Sequence, residues 1–337
     1  HMCGPGPWRM RHGLDLGQYG WVQQADSHGL SRSTMKAPSG EQFEIALGEQ
    51  RATIVEVGGG LREYTVAGKP VLHPYEVGEM CDGAHGAVLL PWPNRLAEGR
   101  YEFDGEHHQL ALTEPAKRNA IHGLLRWRSW WAAEREPHRV VMATRLHPQP
   151  GYPFALDATV AYELDEDGLH VTIGAVNVGS RACPYGAGQH PYLSPGEGTV
   201  DGCELELPAR TRLLVDERHQ VPVDREPVDG TSFDFREPRS IGDLPIDSGF
   251  CDLIRDSHGL ATARLHRPDG TRVELWVDEQ HEVLQVYTAH TLAPERRRRG
   301  LAVEPMTCAA NALQSGDGLA RLEPGQAFSS RWGVRLV

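Results

Sequence analysis

Between residues 156 and 175 the sequence spells out a β-hairpin. Leu156, Ala158, Val160, Tyr162 and Leu164 alternate with Asp157, Thr159, Ala161 and Glu163. A period of two puts each set on its own face of a strand. Asp167-Gly168 then turns the chain into Leu169, Val171, Ile173 and Ala175, and Asp-Gly between alternating segments is a strong hairpin signal. The pattern recurs. Tyr101 and Phe103 precede Asp104-Gly105, and Ala261, Ala263 and Leu265 lead through Pro268-Asp269-Gly270 into Val273, Leu275 and Val277. Leu284-Gln-Val-Tyr-Thr288 reads as another strand, while helical periodicity is scarce, with one short case near Cys308 to Leu313. Many short strands joined by Gly and Pro turns predict an all-β sandwich or barrel. Residues 41–337 show neither repeat nor linker and are expected to form one large β-domain.

Residues 1–40 read differently. His1-Met2 has the look of a cloning remnant. Residues 3–40 are rich in Gly, Ser, Arg and His without a clear period, and are expected to be a largely irregular extension, with Trp8, Tyr19 and Trp21 as its candidate packing residues.

Composition excludes several classes. A chain of 337 residues can bury a sizeable core, and 24% charged with 39% hydrophobic residues reads as soluble and globular. A net charge of -12 argues against nucleic acid and against an anionic membrane as partners. No apolar run approaches transmembrane length. Cys3, Cys81, Cys183, Cys203, Cys251 and Cys308 are scattered without a CxxC pair and are expected to be reduced thiols. No charged-then-apolar leader opens the sequence, so the expected location is cytoplasmic. The histidines and cysteines show no zinc spacing. Gly58-Gly-Gly60 lacks a dinucleotide-binding context, and no GxSxG appears.

Two segments carry candidate chemistry. Glu304 closes an apolar run in Leu301-Ala-Val-Glu304-Pro-Met306, and His190 sits in Gly188-Gln-His190-Pro-Tyr192. A following proline pushes each toward extended or turn backbone. A carboxylate and an imidazole at strand ends suit a general base and a general acid, although most Glu and His residues are solvated or structural. His73-Pro74-Tyr75 offers a rival histidine. Gln285 alternates with Leu284 and Val286 and so faces the other side of its strand. Arg296-Arg297-Arg298-Arg299 reads as a solvated loop, with a phosphate clamp as the sharper alternative.

In chain order, Asn94-Arg95, Asn119-Ala-Ile-His122-Gly123, His190-Pro-Tyr192, Asp247-Ser-Gly-Phe250, Gln285-Val-Tyr-Thr288 and Glu304-Pro305 resemble the aldose 1-epimerase (galactose mutarotase) family. Leu322-Glu-Pro-Gly325 and Trp332-Gly333 resemble that family's last strands, so the likeness runs from roughly residue 45 to the C-terminus. The resemblance implies a large antiparallel β-sandwich, the galactose mutarotase-like supersandwich, with a shallow open cleft on one sheet. It implies cofactor-independent and metal-free interconversion of α and β sugar anomers by a monomer or homodimer acting on a small-molecule sugar. It implies Glu304 as general base and His190 as general acid, His190 being favoured over His73 by chain order. Asn94, Arg95, His122, Asp247 and Gln285 are the substrate-binding positions it implies. Three other readings stay open: a hexose 6-phosphate epimerase, an enzyme of an unusual sugar or cyclic hemiacetal, and a non-catalytic carbohydrate-binding sandwich. The chain departs from the family pattern in its N-terminal extension and at Gln189, where many relatives carry Asn.

Overall fold

A computed structural model describes residues 37–337. The extension expected over residues 1–40 lies outside the described residues except for 37–40, as does Cys3. The strands pair antiparallel into a 12-stranded and a 9-stranded sheet, flanked by three two-stranded ribbons. Helix is limited among the described residues to single turns such as Ala312–Ser315, next to the one place where the sequence hinted at it.

The 9-stranded sheet contains the hairpin expected between residues 156 and 175. Leu156–Asp165 pairs with Gly168–Asn177, the ladder closing at Asp165 opposite Gly168. Leu156, Ala158, Val160, Tyr162 and Leu164 are all buried. They join one core cluster with Ile45, Tyr64, Leu284, Val286, Leu301 and Val303 from the 12-stranded sheet. The two sheets therefore share a single apolar interior, as a sandwich requires. A polar chain also crosses it. Trp332 Nε1 donates to Gln189 Oε1 at 3.1 Å, and Gln189 Nε2 donates to Tyr162 Oη at 2.8 Å. The departure at Gln189 thus points into the core and anchors one sheet to the other.

The 12-stranded sheet carries the feature that matters for function. Its middle strands are Tyr192–Leu193, Leu301–Met306, Val283–Tyr287, Asp247–Leu253 and Ala209–Val215, in that spatial order. Leu301–Met306 is buried along its whole length. Leu301 and Val303 enter the shared core, whereas Ala302 and Met306 belong to smaller clusters on the other face, the face that carries Glu304. On one side this strand meets a broken neighbour. Tyr192–Leu193 pairs with Ala302 and Leu301, and Gly188 pairs with Met306, with His190-Pro191 in the gap. Val303 N–H donates to Pro191 O at 3.2 Å. The ring nitrogen of Pro305, two residues on, faces the same gap, where the ladder needs no donor. The break opposite Glu304 is thus written in two prolines.

The core link between the sheets sets a stability expectation. Trp332→Ala removes a fully buried indole and orphans Gln189, so it should cost roughly 3–5 kcal/mol, measurable as a lowered midpoint in urea unfolding. A loss below about 1 kcal/mol would remove Trp332 from the framework.

Candidate active site

His190 and Glu304 meet across the break. His190 Nε2 lies 3.2 Å from Glu304 Oε1, with both side chains almost wholly buried. His190 is seated by its own backbone: its N–H donates to Ala87 O at 3.0 Å, and its carbonyl accepts from Gly86 N–H at 2.9 Å. Burial pushes the Glu304 carboxyl well above the usual carboxylate range, and neighbouring Asp247 pushes it further. Burial also lowers the His190 imidazole to about 3, with Arg126 and Arg95 adding to the shift. Both directions oppose an ion pair. At the 3.2 Å approach, burial drives both groups toward their uncharged forms, in which the pair holds one titratable proton between them. Glu304 Oε2 and His190 Nδ1 are buried without a hydrogen-bond partner among the described residues.

The remaining residues singled out from sequence surround this pair. Gln285 lies directly opposite Glu304 in the ladder. Leu284 and Val286 are in the core, so Gln285 faces outward as its alternation required. Its Nε2 donates to Asp247 Oδ1 at 2.7 Å. Gly249 makes this reach possible, since a Cβ there would stand 3.3 Å from Gln285 Oε1 and 2.9 Å from Leu213. The other oxygen of Asp247 lies 3.9 Å from Arg95 Nη1.

Arg95 opens a two-stranded ribbon, Arg95–Ala97 with Asn119–Ile121, and His122 follows directly after its second strand. Arg95 is held in a fork by Glu114, with Nε 2.9 Å from Oε2 and Nη2 3.2 Å from Oε1. Burial works against its charge, but the Glu114 and Asp247 carboxylates outweigh it. Asn119 Nδ2 secures Glu114 at 2.7 Å. Asn94 turns its Oδ1 back to accept from Arg95 N–H at 2.8 Å, so that oxygen fixes the loop. Asn94 N–H donates to His122 Nδ1 at 3.2 Å. That nitrogen must be an acceptor, which places the ring hydrogen on Nε2 and leaves His122 a donor. Burial, first of all, lowers its pKa well below the usual histidine value and keeps it neutral. Gly123 follows at φ 69°, its Cα packed so closely on Leu90 that a Cβ would lie 2.0 Å from the carbonyl oxygen.

All seven residues except Gln285 line one open cleft of about 530 Å³, and Gln285 lies beside it under Asp247. The arginine run does not. Arg296 pairs with Glu79, and Arg298 with Asp201 and the Gly242 carbonyl. These two side chains are mostly buried. The run is a loop in which Arg297 and Arg299 are exposed, while Arg296 and Arg298 tie it to its neighbours, and none of the four lines the cleft.

A family model described as Aldose 1-epimerase matches residues 41–335. The chain belongs to the aldose 1-epimerase family. It is 39% identical over 290 residues to the uncharacterized protein YihR of Escherichia coli K12, covering 86% of this chain and 91% of that one. It is 31% identical to human galactose mutarotase over 234 residues, or 65% of this chain and 66% of the human protein. The aldose 1-epimerase of Escherichia coli K12 matches at 31% over 60% of each chain. In fold it resembles an aldose epimerase homologue from C. elegans, with a TM-score of 0.79 at 18% identity, covering 88% of this chain and 98% of that one. These likenesses agree with the all-β supersandwich implied by the ordered motifs.

Several cleft residues of this aldose 1-epimerase family member escaped the sequence reading. Glu114 is one, since only its fork on Arg95 marks it out. Arg126 is another. Lys117 and Gln220, joined by a hydrogen bond between their side chains, close the rim from two loops far apart in sequence. Among the described residues, no helix is long and apolar enough to cross a membrane, and no cluster of His, Cys, Asp and Glu could hold a metal ion.

The one-proton pair predicts an unusual pH profile. A second proton enters only near the lowered His190 value of about 3. The acid limb of kcat/KM should therefore lie well below 6.5, the ordinary histidine value, and the alkaline limb should appear where the pair gives up its proton. Measured from pH 4 to 9, a fall centred on about 6.5 would mean that His190 titrates as an ordinary imidazole.

Proposed function

We propose that this protein is an aldose 1-epimerase, an isomerase that interconverts the α and β anomers of an aldose by general acid–base ring opening and reclosure. The observation that carries this reading is the 3.2 Å contact of His190 and Glu304 at the floor of an open cleft. A cyclic aldose is a hemiacetal. Opening it takes a proton from the anomeric hydroxyl and gives one to the ring oxygen. Rotation about C1–C2 and reclosure yields the other anomer.

A pair that holds one proton can do both tasks. Transfer of that proton from Glu304 to His190 leaves a carboxylate to accept from the anomeric hydroxyl and an imidazolium to protonate the ring oxygen. The two exchange roles on closure, so no net proton is consumed. Each such group contributes about 10²–10⁴-fold. His122 donates through Nε2–H to the ring oxygen or an adjacent hydroxyl. Arg95, oriented by Glu114, donates to sugar oxygens, and Asp247 accepts from hydroxyls. A non-catalytic binder would have no use for a buried acid–base pair.

A second reading, an aldose with an anionic substituent such as a hexose 6-phosphate, is favoured by Arg126. This partly buried cation lines the cleft beside His122 and has no carboxylate partner among the described residues. Burial lowers its pKa, the mark of a charge with little compensation. An anionic group on the sugar would supply that compensation.

Two measurements separate these possibilities. With freshly dissolved α-D-galactose in a polarimeter, Glu304→Gln should slow mutarotation by at least about 10²-fold, and a near-native rate would remove Glu304 from the chemistry. Arg126→Ala should raise KM for glucose 6-phosphate by about 10-fold or more, the scale of a lost charge-assisted bond, while leaving KM for galactose within about twofold. Equal effects on both sugars would dismiss the anionic reading.

A further inference from the structure

The rival histidine of the sequence, His73, lies behind the proposed acid, reached through His85 and Tyr192. An imidazole that moves protons is usually oriented by a hydrogen bond at its second ring nitrogen. His190 Nδ1 is buried and has no such partner from any other described residue, its own backbone being the one polar group that acts on the ring there. Its orientation must come from what packs against the ring.

That packing is aromatic and ordered. Tyr192 stacks on His190 with centroids 4.9 Å apart and planes 24° apart. His85 stacks on Tyr192 more closely still, at 3.8 Å and 10°. His122 meets His190 edge-on at 5.5 Å. The stack is pinned at each end. Tyr192 Oη donates to Gly83 O at 2.7 Å. His85 Nδ1 lies 2.7 Å from the Asp82 carbonyl, which can only accept, so the ring hydrogen is on Nδ1. His85 Nε2 then accepts from His73 Nδ1–H at 3.1 Å. Residues 82–87, which carry His85, are the same segment whose backbone bonds both the N–H and the carbonyl of His190. Burial lowers His85 to about 3 and His73 to about 4, so both stay uncharged at neutral pH and add no further cation beside the working imidazole.

We propose that Tyr192 and His85 are positioning residues for His190: their stack fixes the plane of its imidazole toward Glu304, in place of a hydrogen bond at Nδ1. This rests on the reading of His190 as the acid of mutarotation. The stack acts through ring geometry, so its removal should disturb kcat rather than sugar binding. Misplacing a reacting group by about 1 Å can cost on the order of 10²-fold.

The test pairs kinetics with histidine NMR on the full-length protein. Tyr192→Leu deletes the aromatic face, whereas Tyr192→Phe keeps it and drops only the Gly83 tether. On α-D-galactose, Tyr192→Leu should lower kcat by about 10–10²-fold with KM changed by less than about threefold, and Tyr192→Phe should recover most of that loss. In the substrate-free protein, the His190 Nε2 signal that reports its approach to Glu304 should move in the leucine variant and return in the phenylalanine variant. An unmoved signal in Tyr192→Leu, or equal kcat losses in both variants, would overturn the proposal. If circular dichroism shows that Tyr192→Leu does not fold, His85→Leu takes its place with the same expectations and the same refuting outcomes. Absence of mutarotation by the native protein would defeat the functional reading alone, because the NMR signal decides the positioning question without any sugar.

Discussion

A buried carboxyl in the middle of a sheet is the constraint from which the rest of the molecule follows. Glu304 lies in a strand buried on both faces, where an unpaired charge would cost several kcal/mol. It is tolerated because the neighbouring strand is broken at His190-Pro191 and an imidazole enters the gap. An intact ladder would have put His190 in register beside the strand instead of aiming its ring at the carboxyl. The two prolines that flank the contact are therefore part of its chemistry, since each removes a donor that a continuous sheet would have demanded.

Around that contact the polar groups are organised in two tiers. Gln285 braces Asp247, Glu114 and Asn119 brace Arg95, and Asn94 fixes the tautomer of His122. Each bracing group commits at least one hydrogen bond to the residue it holds or to the backbone beside it. The groups they hold keep atoms free toward the cleft: Nε2–H of His122, the second oxygen of Asp247, and part of the Arg95 fork. Preorganisation of this kind lowers the entropy lost when a small polyhydroxylated ligand is gripped.

Much of this was legible in the sequence, and the exceptions have physical reasons. Alternation gave the central hairpin from Leu156 to Ala175, because each strand there has one face in the core. It also set the direction of Gln285. Alternation failed for Leu301–Met306, which is buried on both sides and so reads as a plain apolar run. The residues that the ordered motifs brought together are neighbours in space. Glu114 and Arg126 stayed hidden because their importance depends on which loops meet. The tethering role of Arg296 and Arg298 was hidden for the same reason: their carboxylate partners, Glu79 and Asp201, lie far off in sequence. Gln189, a departure next to the proposed acid, turned out to serve the interior.

The backing sheet has a consequence for how such a protein can change over generations. Every cleft residue discussed here comes from the 12-stranded sheet or its connecting segments and ribbon, while the 9-stranded sheet serves as ballast. Rim positions such as Lys117, Arg126 and Gln220 can be exchanged with little effect on the shared core. Substitution at the rim would reshape what the cleft admits while the His190–Glu304 contact stays in place beneath it.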